Sequence, residues 1–110
     1  MKKTINTLDL PIKKEWFDMI EAGIKTEEYR EISDHWIARL IETKMQVIGD
    51  GFKKYDIVKF RNGYQPNSPS LKVEHVSTHI GYGKPEWGAV PGQKYFVIKL
   101  GKPCDKKKQK

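Results

Sequence analysis

Cysteine is nearly absent: Cys104 stands alone among 110 residues. That excludes an internal disulfide and any zinc site built on cysteine pairs, and it fits a reducing, cytoplasmic setting. Long apolar runs are missing too. Nothing approaches the ~18–20 consecutive apolar residues that cross a bilayer, so no membrane partner is expected. The opening MKKTINTLDLP carries two lysines but no apolar stretch behind them, unlike a secretory signal. Internal repeats, low-complexity tracts, interior linkers and cofactor motifs are not found. Histidine is sparse. His75 and His79 fall in a segment that reads as a strand, where they would share a face ~13 Å apart, too far for one metal ion. No metal and no cofactor are therefore expected.

What is present is charge and aromatic surface. Charged residues make up 32% of the chain, yet three Trp, five Tyr and four Phe supply enough apolar area for one core. The length suits a single domain over 1–104, followed by a basic tail over 105–110. The net charge of +7 resides mainly at the ends, because Lys2, Lys3 and the tail carry most of it and 4–104 is nearly balanced. Such a tail can attract phosphate backbones without specificity, or simply solubilise a terminus.

Periodicity and punctuation give the order β-α-β-α-β-β-β. A strand is expected over 4–10. Pro11 is read as permitting a helix to start, and Ile12, Trp16, Phe17, Met19 and Ile20 form a stripe over 13–22 that ends at Gly23. Residues 25–31 read as a charged strand. Ser33 or Asp34 caps a second helix whose apolar face holds Trp36, Ile37, Leu40, Ile41 and Met45, with Gly49-Asp50-Gly51 as the turn after it. Strands follow over 56–61, 71–80 and 95–100. Asn62-Gly63 marks a turn, 65–70 a loop, and 81–92 a long structured loop. Phe96, Ile98 and Leu100 are expected on one face of the last strand and Lys99 on the other. Helices early and strands late favour an α+β domain or partly open barrel.

The segment Gly23-Ile24-Lys25-Thr26-Glu27-Glu28-Tyr29-Arg30 holds the most chemistry. In an extended chain Glu28 and Arg30 share a face. Glu28 can accept a hydrogen bond from a base amine, and Arg30 can grip a phosphate or carboxylate with both arms of its guanidinium. The plainer reading is a solvated edge strand with a Glu28–Arg30 ion pair. Trp36, Tyr64, Tyr82 and Trp87 can stack on bases, and of these Tyr64 and Trp87 lie in glycine-rich loops. Trp36, on the apolar face of the second helix, is expected in the core. Cys104 lacks the local partners of a nucleophile.

The spacing G-x-K-x-x-E-x-R behind an amphipathic helix resembles the signature of the ASCH domain family, carried here by Gly23, Lys25, Glu28 and Arg30. The resemblance extends to DIVKFRNGY at 56–64, EWGA at 86–89 and YFVIKLG at 95–101, and is nearest to small stand-alone bacterial and phage-type members. It implies a PUA-like, partly open β-barrel with two flanking helices. It also implies an RNA- or nucleotide-binding role in a polar cleft lined by this segment; on that reading Lys25, Glu28 and Arg30 are expected to touch the ligand, and Tyr64 and Trp87 to cover it. An amidohydrolase branch of the family acts on a modified nucleoside through the motif lysine, a threonine and a later glutamate. Here Glu28 stands where that threonine would be, and Glu74 and Glu86 both remain open as the later glutamate. The alternatives are therefore a hydrolase or nuclease acting on modified nucleosides or RNA, with Lys25 and Glu28 catalytic, and a regulatory module that binds a protein partner.

Overall fold

The computed structural model describes residues 4–42 and 51–104. The element order is β1 (Thr7–Ile12), α1 (Lys14–Glu21), β2 (Glu27–Arg30), α2 (Asp34–Leu40), β3 (Ile57–Asn62), β4 (Ser70–Tyr82), a 3₁₀ turn at Pro85–Trp87, and β5 (Lys94–Pro103). The fold is α+β, with one mixed five-stranded sheet ordered β1-β3-β4-β5-β2. β1 and β2 are its edges, so the sheet is open, as the sequence suggested. Met45, Gly49, Asp50 and the tail lie outside the described residues. The chain forms two units, one of 4–26, 55–76 and 100–104, the other of 27–42, 51–54 and 77–99.

In the first unit β1 pairs parallel with β3, and β3 pairs antiparallel with β4. The registers place Leu8, Val58 and Val73 in one row and Leu10, Phe60 and Leu71 in the next, all six buried. These rows are the apolar half of a period-2 pattern. Phe17 and Ile20 of α1 are buried beside them, and α1 contacts β3. Pro11 does not begin the helix. It sits in β1 opposite Arg61, and Ile12 is a buried strand residue. An edge strand tolerates the missing N–H, which removes the need for the proline to mark a helix start. Gly63, at φ 118°, makes the turn after β3, and Gln65 N–H donates to Ser68 Oγ at 3.1 Å to hold the loop.

In the second unit β2 pairs antiparallel with β5, with Glu28 opposite Ile98, Tyr29 opposite Val97 and Arg30 opposite Phe96. Ser33 caps α2, accepting from Trp36 N–H at 3.4 Å. The helix ends at Leu40, and Ile41 bridges Phe52. β5 departs from the expected alternation, since Tyr95, Phe96, Val97 and Ile98 are all buried. Both faces are covered: the Tyr29 ring lies 5.9 Å from Tyr95 on one, and the Phe52 ring 6.3 Å from Phe96 on the other.

Candidate functional site

The motif divides between the units. Gly23 adopts φ 79° and donates its N–H to Ile20 O, after which Ile24 and Lys25 both donate to Met19 O. This left-handed stop turns the chain back along α1. It leaves Lys25 only 2% exposed, with Nζ 5.9 Å from the Trp16 ring, within reach of a cation–π attraction.

Glu28 and Arg30 belong to β2, in the second unit. Directly opposed residues of an antiparallel pair put their side chains on one face, so both carry charge onto the face of Phe96 and Ile98. Charge in such surroundings needs a partner. Arg30 donates to Glu28 Oε2 at 2.7 Å, with side chains only 17% and 8% exposed respectively. β2 is thus an edge strand with the anticipated ion pair, but the pair is not solvated.

The guanidinium of Arg30 also lies 5.0 Å from the Trp36 ring. Arg39, one helical turn on, brings a second guanidinium to 5.5 Å from the same ring. Trp36 is half-buried rather than part of the core, and His35 meets it edge-on at 4.7 Å. The grouping of Arg30, Trp36 and Arg39 was missed in the sequence. Its one local signal was the i, i+3 spacing of Trp36 and Arg39, which faces both residues the same way.

The other face of β2 carries Glu27 and Tyr29. The Tyr29 hydroxyl donates to Glu27 Oε1 at 2.8 Å and accepts from Lys84 N–H at 3.0 Å. Burial first, with the hydrogen bond to Glu27 and the charges of Glu27 and Glu86 adding to it, pushes this phenol well above the ordinary tyrosine range. The Lys84 N–H pulls the other way. Above the ring passes Gly83, where a Cβ would fall 2.7 Å from Tyr29 Cζ. Farther along, Val90 N–H donates to the Tyr95 hydroxyl at 2.9 Å. The loop between β4 and β5 is therefore tied to the sheet by two phenols.

The remaining candidates are spread out. Trp87 is half-buried in the 3₁₀ turn, with Lys84 Nζ 4.5 Å from its ring. Tyr64, in the first unit, is 82% exposed in the loop after β3. Of the two glutamates left open, Glu74 accepts from Lys102 N–H at 3.2 Å in the first unit. Glu86 is exposed in the second, close enough to Tyr29 to act on its phenol. Among the described residues no group of three or more His, Cys, Asp or Glu is placed to hold a metal, and no helix is long and apolar enough to cross a membrane. Comparison with known proteins finds no matching family model, no matching curated protein and no matching solved structure.

Proposed function

We propose that this chain recognises RNA or a nucleotide-like ligand, and that Trp36 with Arg30 and Arg39 is the place of recognition. The observation that carries the reading is the presence of two guanidiniums against one half-buried indole. An indole face stacks on any nucleobase, worth about 1–3 kcal/mol per base, and a guanidinium fork matches phosphate oxygens in pairs. The 2.7 Å bond from Arg30 to Glu28 fixes that guanidinium beside the indole before a ligand arrives, which lowers the ordering cost of binding. Glu28 is thereby an orienting group for Arg30 rather than an activator of water, which favours binding over the hydrolase or nuclease alternative. The resemblance of Gly23, Lys25, Glu28 and Arg30 to the ASCH signature, with its PUA-like fold, supports the same reading. Lys25 is left out of the proposed contact surface, since it is 2% exposed.

Calorimetric titration of nucleoside 5′-monophosphates into the wild type, Trp36→Leu and Arg39→Gln tests the reading. Binding is expected in the wild type, weakened about 5- to 150-fold by Trp36→Leu and also weakened by Arg39→Gln. Absence of binding across the panel, or equal affinity in all three proteins, would overturn it.

A further inference from the structure

We infer that the ligand is a single strand several nucleotides long, and that two further stacking subsites serve it, Tyr82 with Lys94 at the facing ends of β4 and β5 and Trp87 with Lys84 in the connection between them. This rests on the reading of Trp36 above.

The second unit repeats one arrangement. Trp36 has its guanidiniums, Trp87 has Lys84 Nζ at 4.5 Å, and Tyr82 has Lys94 Nζ at 5.8 Å. A lysine stem lying over an aromatic ring often does no more than shield apolar surface from water. Tyr82 is not shielded: it stays 63% exposed beside its lysine. A ring with a cation alongside and most of its surface open is suited to stack on a base while the cation meets the adjoining phosphate. Lys84 and Lys94 outnumber the one acid Glu86 over 82–94, while Lys99 is set opposite Glu27 across β2 and β5, so the excess beside these rings favours a phosphate backbone.

The rings are also held in place. Trp87 N–H donates to Lys84 O at 2.9 Å and Gly88 N–H to Pro85 O at 3.0 Å, closing the 3₁₀ turn. Tyr29 fixes the backbone at Lys84, Tyr95 fixes it at Val90, and Ala89 is buried. A loop anchored at both ends presents its aromatics with little ordering cost.

The strandedness follows from the chemistry of the rings. Bases in a duplex stack on one another and offer no open face, whereas single strands do. A mononucleotide has one base and occupies one ring. Several rings in one unit suit several successive bases.

Fluorescence anisotropy at constant ionic strength, with labelled single-stranded RNA of one, two, four and eight nucleotides and an eight-base-pair duplex, tests this. The proteins are the full-length wild type, Tyr82→Leu, Trp87→Leu and Trp36→Leu, with Lys84→Gln as a milder change should Trp87→Leu lower the melting temperature. The three aromatic substitutions conserve charge, so attraction by the lysine tail is the same in each. Affinity is expected to rise with length and to be weaker for the duplex. Tyr82→Leu and Trp87→Leu should each cut octamer affinity about 5- to 150-fold and cost the mononucleotide far less than Trp36→Leu does. Octamer affinity no greater than that of the mononucleotide, with both loop variants silent, overturns the inference and leaves the Trp36 reading standing. Octamer affinity lost in the loop variants but indifferent to Trp36→Leu supports the loop subsites and overturns the Trp36 reading. No binding by any probe overturns both.

Discussion

Replacing Gly83 by alanine probes the contact on which the loop after β4 depends. The added methyl would sit 2.7 Å from Tyr29 Cζ, 2.8 Å from Tyr29 Cε1 and 2.7 Å from Ala89 Cβ, well inside ordinary contact distance. Tyr29 cannot easily retreat. Its hydroxyl is engaged with Glu27 and with Lys84 N–H, and its ring lies 5.9 Å from that of Tyr95. Relief therefore requires the loop to lift by roughly 1 Å, which belongs to the overpacking class at about 1–3 kcal/mol. Alanine restricts the unfolded chain and returns about 0.4–1 kcal/mol, so the net loss is about 1–2 kcal/mol. For a domain of this size that lowers the melting temperature by about 5–15 °C. Urea unfolding gives the value, and repeating it in an Ala89→Gly background tests its origin. Removing one of the clashing methyls should make the Gly83→Ala cost smaller than in the wild type. A Gly83→Ala protein within 0.3 kcal/mol of wild type on the scale of that overpacking cost would refute the close packing of the loop on Tyr29.

Glu28→Gln should destabilise by about 3–5 kcal/mol, because it strips the carboxylate from a largely buried guanidinium; replacing both partners, as in Glu28→Leu with Arg30→Met, should cost less, and the same unfolding series measures both. Gly23→Ala should cost about 1–2 kcal/mol, through the left-handed conformation alone, since nothing lies within 4 Å of the added methyl. The raised phenol of Tyr29 stabilises the fold fully below the ordinary tyrosine value near pH 10, and that stability is lost as pH climbs toward its folded value. Wild type should thus lose stability faster than Tyr29→Phe in urea midpoints above about pH 10, and parallel curves would contradict the assignment.

The order of elements was readable because each carries a local mark. β1 alternates buried and open positions, α1 stops at a glycine that takes a positive φ, and Asn62-Gly63 turns β3 toward β4. What depended on remote neighbours was not readable. Pro11 resembled a helix start because its tolerance on an edge strand depends on which side of β1 has no neighbour. Tyr95 and Val97 looked half-open because the ring of Tyr29 and the loop at 83–90 that cover that face come from elsewhere in the chain. Trp36 looked like core because its apolar helix stripe says nothing of Arg30, which reaches it from β2. Glu28 and Arg30 were legible as a pair from their two-residue spacing. Their burial was not, because it follows from pairing with Phe96 and Ile98.

Nitrogen-resolved NMR of the indole and guanidinium N–H groups during titration with a nucleoside 5′-monophosphate observes the proposed contact itself. Trp36 Nε1–H and the side chains of Arg30 and Arg39 should shift together along one saturation curve, while Trp16 Nε1–H, beside buried Lys25 in the first unit, stays still. A saturable ligand that leaves Trp36, Arg30 and Arg39 unmoved, or shifts only Trp16 or Trp87, would contradict recognition at the guanidinium-flanked indole.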